Sequence, residues 1–116
     1  PRRLLLCSGK IYYDLATERD RRNLDDVALV RIEQLYPVPR RQLLEVLQRF
    51  DLTQEWWWVQ EEPANMGAWP FMRMRWQEIS EHPLGYVGRP EAASPATGFH
   101  QLHRQEQAAI IDQALT

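Results

Sequence analysis

Two short runs of polar residues in this 116-residue chain could carry chemistry. Ser8-Gly9-Lys10 precedes a predicted helix, where free N–H groups and the helix dipole could hold an anion. A tight turn with a solvated Lys10 is the favoured alternative. Glu61-Glu62 could be a carboxylate pair for acid–base catalysis. An adjacent pair after a strand more often caps the next helix or pairs with an arginine, so we favour a structural role.

The histidines and the single cysteine are the candidate metal ligands and nucleophile. His100 and His103 are three residues apart at the start of a predicted helix, a spacing that places two imidazoles on one face, as a metal site can require. No Cys or third His lies near them, which favours an ordinary surface pair. We interpret His82 as a loop residue. Cys7 has no disulfide partner in the chain, and a buried structural thiol in a reducing compartment is favoured over a nucleophile.

Arg40-Arg41 stands at the start of another predicted helix. The helix dipole disfavours cations at this end, so the pair could indicate an anionic partner. A solvated pair, balanced by Glu45 four residues after Arg41, is the alternative interpretation.

The wider sequence excludes several classes of function. It contains no G-x-G-x-x-G, no G-x-x-x-x-G-K-[ST] and no G-x-S-x-G motif, so on its own chemistry we predict no catalytic, cofactor-binding or metal-binding residue. The 14 Lys and Arg against 16 Asp and Glu form no basic stripe, and we expect no nucleic-acid partner. The longest apolar runs are far below the roughly 20 residues that a membrane span needs.

Hydrophobic periodicity predicts strands that alternate with helices in the order βαβαβαβα. The predicted strands cover residues 3–7, 27–32, 55–60 and 84–87, and the predicted helices cover about 10–23, 39–50, 68–80 and 102–115. Prolines 37 and 39 predict an extended chain over residues 35–39. The loops that follow the strands contain Ser8-Gly9-Lys10 and Glu61-Glu62, whereas Arg40-Arg41 opens a helix and His82 precedes a strand.

The three consecutive tryptophans Trp56, Trp57 and Trp58 indicate how the sheet is covered. Neighbouring side chains of a strand point to opposite faces, so both faces of this strand need helices against them. Alternating strands and helices without hairpin signals predict a three-layer α/β fold, with a mostly parallel sheet of four to five strands and helices on both faces. The length fits a single domain over residues 1–116.

Four sequence blocks stand out in order along the chain. They are LCSGKIYYDL (6–15), VRIEQLYP (30–37), QEEPANMGAW (60–69), and GRP with ASPATG (88–98). Together they resemble the C-terminal end of the decarboxylating, thiamine diphosphate-dependent component of 2-oxoglutarate dehydrogenase. The resemblance covers essentially the whole chain, and it implies a transketolase-type C-terminal domain that is a fragment of a larger multidomain enzyme.

The resemblance implies an oxidoreductase of the citric acid cycle that decarboxylates 2-oxoglutarate and passes the succinyl group to the lipoyl-bearing succinyltransferase of a multienzyme complex. In this family other domains, one with a G-D-G…N motif, hold thiamine diphosphate and Mg²⁺. The chain has no Gly-Asp-Gly, so we expect neither group to bind here and the isolated fragment to be inactive. The expected partners are the remaining domains and the homodimer mate, in bacterial cytoplasm or, for a eukaryote, the mitochondrial matrix.

In some relatives this domain also binds part of an acyl-CoA effector, through the Gln of the E-Q-L block and basic residues at the start of the next helix. Gln34 and Arg41 match that pattern, whereas Gln42 stands where a further Arg is expected. We therefore hypothesise a remnant or variant anion site formed by Gln34, Arg40 and Arg41. A free-standing α/β interaction module, or an anion- or nucleotide-binding module, is the alternative function.

Overall fold

A computed structural model describes residues 1–35, 39–92 and 100–116, with the side chains of all of these except residues 100 and 101. Four strands alternate with four helices, as predicted. In chain order they are β1 (Arg3–Cys7), α1 (Ile11–Arg21), β2 (Val27–Arg31), α2 (Arg40–Leu47) with a 3-10 turn (Gln48–Phe50), β3 (Glu55–Pro63), α3 (Trp69–Ile79), β4 (Gly85–Arg89) and α4 (His100–Leu115). Over these ranges, no helix combines the length and apolar character of a membrane span.

The four strands form one sheet in the order β2-β1-β3-β4, and every neighbouring pair is parallel. Parallel neighbours need crossover connections, which the intervening helices supply. The structure thus confirms the predicted α/β class with a parallel sheet. The chain moves from β1 to β2 on one side and then returns past β1 to β3, so the strand order reverses between β1 and β3.

Helices cover both faces of the sheet and create two separate cores. On one face α2 and α3 pack against β1 and β3, through Leu4, Leu6, Ile32, Leu43, Leu47, Trp56, Trp58, Met72, Trp76 and Ile79. On the other face α1 and α4 pack against the sheet, through Leu5, Cys7, Ile11, Leu15, Val27, Val59, Val87, Ile110, Ala114 and Leu115. Each helix contributes one apolar stripe, as expected of amphipathic helices on a sheet.

The tryptophan run divides between these two cores, as predicted. Trp56 and Trp58 are 5% and 1% exposed and belong to the α2/α3 core, whereas Trp57 packs against the α1/α4 core. In β1 their partners are Leu4, Leu5 and Leu6 in turn. The alternation of side chains along a strand therefore accounts for the need for helices on both faces.

Two strands differ from the expectation. β3 continues to Pro63, three residues beyond the predicted end, and pairs there with Arg89 after an irregularity in the register. β2 was expected to be buried, yet it lies at the edge of the sheet and Ala28, Leu29 and Val30 are only partly buried. Apolar composition cannot distinguish an edge strand from a central one, because the position depends on which strands pair. Most of the predicted extended segment (36–38) and the ASPATG block (93–98) lie outside the described residues.

The first testable prediction concerns the core at Trp58. Because its side chain is 1% exposed, Trp58→Ala leaves a cavity between the sheet and α2/α3, and the free energy of unfolding should fall by about 3–5 kcal/mol. Leu52→Ser is the control: this side chain is 97% exposed, and its loss should change stability by about 0.5 kcal/mol or less. Urea denaturation measures both, and similar losses for the two variants would contradict the assigned core.

Candidate functional site

In an open parallel sheet, ligands bind beyond the carboxyl ends of the strands, where the strand order reverses. Here that position lies between β1 and β3. The segments around it are the turn after Cys7, the residues after Arg31, the end of β3 at Pro63, and the chain after Arg89. All the candidate residues except His82 and the Arg40-Arg41 pair belong to these segments or to the helices next to them.

Ser8-Gly9-Lys10 is a tight turn into α1. Gly9 has a φ of +81° and open space around it, and its carbonyl accepts a hydrogen bond from the N–H of Tyr12 at 3.3 Å. Lys10 is exposed and lies next to the start of α1, where no side chain caps the helix. The geometry agrees with the favoured turn, and anion binding by its N–H groups stays a prediction.

Glu61 and Glu62 do not form a carboxylate pair. Both lie within β3, where consecutive side chains point to opposite faces. Glu61 accepts a hydrogen bond from the side-chain amide of Gln107 on α4 at 2.8 Å, whereas Glu62 packs against Gly67. The structural role is thus supported, but the partner of Glu61 is an amide rather than the expected arginine or helix end.

The histidines do not assemble a metal site in the described structure. His103 is partly buried on α4, and the side chain of His100 lies outside the described residues. Over the described ranges no group of three His, Cys, Asp or Glu could hold a metal ion. His82 lies in the loop between α3 and β4, as predicted, and its ring stacks on Trp56 at 3.9 Å between ring centroids.

Arg31 is a residue that the sequence analysis missed. Its guanidinium lies over the rings of Tyr12 and Tyr13, at 5.9 and 5.1 Å from their centroids, and donates to the Tyr13 hydroxyl at 2.9 Å. It also pairs with Glu33 at 3.4 Å. Arg31 therefore connects the E-Q-L block after β2 to the first turn of α1, and only the pairing of β1 with β2 brings these residues together.

Of the three residues proposed to bind an anion, Arg40 and Arg41 lie together and Gln34 lies apart from them. Arg40 and Arg41 are the first two residues of α2, are exposed, and line a surface groove of about 410 Å³ together with Leu44, Glu45 and Gln48. No acidic residue lies in the first turn of α2. Gln34 is exposed just beyond β2 but is not part of that groove as far as the structure describes its lining. The structure thus places the two arginines at one surface without adding Gln34.

Gln60 is the second residue that the sequence analysis missed. It is a polar residue 3% exposed, at the point where β3 leaves the core. Its side-chain oxygen accepts hydrogen bonds from Trp58 Nε1 and from the backbone N–H of Trp69, both at 2.9 Å. Its position directly after the apolar run Trp56 to Val59 was the available signal, because a buried polar side chain must find partners.

Tyr86 on β4 contacts the end of β3, close to Gln60. Its hydroxyl donates to the carbonyl of Arg89 at 2.6 Å and lies 3.2 Å from the carbonyl of Glu62. Burial raises the pKa of Tyr86 above its ordinary value, so the hydroxyl remains a donor at neutral pH. The ends of β3 and β4 are therefore held together by a side chain as well as by the backbone ladder.

Cys7 is fully buried in the α1/α4 core. Burial raises the pKa of its thiol to about 12, and nearby Arg31 lowers it to a smaller extent. Since the thiolate is the nucleophile, Cys7 is unreactive at neutral pH in the folded protein. The favoured interpretation of a structural thiol is thus supported by its environment.

The second testable prediction follows from this burial. At about pH 8 a thiol reagent should modify Cys7 very slowly in the folded chain and to completion in denaturant, where the thiol regains an ordinary pKa of roughly 8.5. Mass spectrometry of the modified chain measures both rates. Equal rates in the folded and unfolded states would contradict the assignment of Cys7 to the core.

The fold and its loops define a three-layer α/β domain with a parallel sheet and a preorganised carboxyl edge. A family model described as "2-oxoglutarate dehydrogenase C-terminal" matches residues 1–115. The chain is also 48% identical to the 2-oxoglutarate dehydrogenase E1 components of Brucella anthropi, Brucella ovis and Brucella canis, in matches that cover 98% of this chain and 12% of each relative. The chain belongs to the 2-oxoglutarate dehydrogenase C-terminal family, and it spans 12% of the length of these relatives.

Proposed function

We propose that this chain is the C-terminal domain of a 2-oxoglutarate dehydrogenase. The parent enzyme oxidatively decarboxylates 2-oxoglutarate in the citric acid cycle and transfers the succinyl group to a lipoyl-bearing succinyltransferase. The observation that carries this proposal is the family match over residues 1–115, supported by 48% identity to E1 components across 98% of the chain. A bacterial cytoplasm, or a mitochondrial matrix in a eukaryote, is the corresponding location.

The cofactor of the parent is proposed to be thiamine diphosphate with Mg²⁺, and the bound thiamine would supply stabilisation of the carbanion that decarboxylation leaves. The residues of this chain do not fit that group. The sequence has no Gly-Asp-Gly, and no set of three candidate ligands converges within the described ranges. We therefore propose that the rest of the parent binds the cofactor and carries out catalysis.

The role of the domain is proposed to be structural. Each face of its sheet has a buried core, so it can present a rigid surface to the neighbouring active-site domains and to the homodimer mate. The carboxyl edge near β1 and β3 is the part of that surface with the most organised loops. The isolated domain is proposed to be inactive.

The third testable prediction addresses this role in the full-length enzyme. Removal of the segment that corresponds to residues 1–116 should abolish the dimer mass and lower turnover by about a hundredfold, because the catalytic groups lose their relative positions. The control is the full-length enzyme with Leu52→Ser, a change at an exposed position. Ordinary turnover and dimer mass after truncation would contradict the structural role.

A regulatory role is proposed for the surface groove at the start of α2. Arg40 and Arg41 lie side by side at this groove, and in the described structure neither forms an ion pair, not even with Glu45 four residues after Arg41. Their charges are therefore available to an anionic effector such as an acyl-CoA. Gln34, which is exposed just beyond β2, is the proposed additional contact.

The fourth testable prediction uses acetyl-CoA as the probe with the full-length enzyme. Arg41→Ala should raise the concentration needed for a half-maximal change in activity by about tenfold, which corresponds to roughly 1.4 kcal/mol of lost binding. Arg49→Ala is the matched control, because Arg49 is an exposed arginine that does not line this groove. An unchanged acetyl-CoA response in the Arg41 variant would remove the regulatory proposal.

A further inference from the structure

The side chain of Gln60 contacts the backbone of the turn that follows β3. Its side-chain nitrogen, which has two N–H donors, lies within hydrogen-bond distance of three backbone carbonyls, those of Glu62 at 3.2 Å, Pro63 at 3.0 Å and Met66 at 2.9 Å. With the two hydrogen bonds accepted by its oxygen, one buried amide contacts β3, the following turn and the start of α3. We call residues 61–68 the β3–α3 segment.

Three further contacts hold this segment in one conformation. The side-chain amide of Asn65 and the backbone of Ala92 exchange two hydrogen bonds, at 3.0 and 3.1 Å. The N–H of Ala64 donates to the carbonyl of Arg89 at 3.0 Å. Gly67 has a φ of +65°, and a Cβ atom there would lie 2.6 Å from the carboxylate of Glu62. The positive φ favours glycine at this position, and a larger residue would also displace the Glu62 side chain.

The amide of Gln60 contributes to stability, because its loss alone would leave its buried partners unpaired. Four of its five partners lie in the β3–α3 segment or at Trp69, directly after it. The second consequence of Gln60 is therefore that it fixes the conformation of this surface segment. A loop held in advance by buried hydrogen bonds loses less freedom when it binds. Binding residues of proteins often lie on surface segments of this kind, which a rigid scaffold holds in position.

We propose that Gln60 is a positioning residue that holds the β3–α3 segment in the conformation with which this domain docks onto the remainder of its own polypeptide. This inference rests on the proposed function of the domain. The occupant is that remainder because the relatives are much longer than this chain, which covers 12% of them. The segment carries the partly exposed carboxylates of Glu61 and Glu62 and the exposed Asn65, so the docking partner offers hydrogen-bond donors, with arginine or lysine among them.

The fifth testable prediction uses the full-length enzyme with Gln60→Leu. This change preserves the approximate volume and removes the hydrogen bonds of the amide. We expect kcat to fall by about tenfold or more, since small displacements near an assembled active site are costly, with little change in the KM for 2-oxoglutarate. Hydrogen–deuterium exchange should increase in peptides that cover residues 61–68 and not in β1.

Thr53→Val is the matched control. Thr53 is 2% exposed and lies just before β3, at the opposite end of that strand from Gln60. Its variant replaces a buried polar side chain with an apolar one, so a general effect of core change should appear equally in both variants. Asn65→Ala is the second variant: its side chain is exposed, the fold should survive, and kcat should fall by about threefold through the lost contact with Ala92.

The outcomes separate this inference from the proposed function. A selective loss of kcat in the Gln60 and Asn65 variants supports the positioning role. If truncation of the domain abolishes turnover while both variants behave like Thr53→Val, the inference is wrong and the proposed function stands. If the truncated enzyme retains ordinary turnover, both are wrong. If Gln60→Leu does not fold, the kcat of the Asn65→Ala variant alone decides whether the inference stands.

Discussion

The pairing of β1 with β3 is the interaction on which the rest of this structure depends. Leu4, Leu5 and Leu6 lie opposite Trp56, Trp57 and Trp58 in parallel register and are fully buried. Because the side chains alternate, this one ladder supplies the centre of both cores. A shift of one residue would exchange the two faces and place Trp58 against the smaller α1/α4 core.

The same pairing creates the site. The connection after β1 leads to β2 on one side, and the connection after the neighbouring β3 leads to β4 on the other. The chain therefore leaves these two adjacent carboxyl ends in opposite directions, which is where sheets of this kind bind ligands. The loop after β1 contributes a tight turn, and the loop after β3 contributes the segment that Gln60 organises. The functional surface of the domain is therefore a product of strand order rather than of any single motif.

The groups at that surface are those on which the proposed structural role rests. The buried thiol of Cys7 stays protonated, the two glutamates after Gln60 point to different neighbours, and no three metal ligands meet within the described part of the chain. The described part of the site has a fixed backbone shape with acidic and amide groups on it. That is consistent with a domain that positions other parts of a long enzyme.

Local sequence determined the strands, the helices and their order, because apolar periodicity and the Pro and Gly residues act over a few residues. It also determined the family, through four blocks spread along the chain. Tertiary structure alone decided that β2 lies at the edge, that β3 extends to Pro63, and that Arg31 meets Tyr12 and Tyr13. Gln60 differs from these features, because its partners lie within nine residues of it in the sequence. Its role depends on the chain after β3 turning back over the side chain, which apolar periodicity does not predict. The edge position of β2, the extension of β3 and the contact of Arg31 with the two tyrosines depend on residues distant in sequence, and local propensity contains no information about which elements will meet.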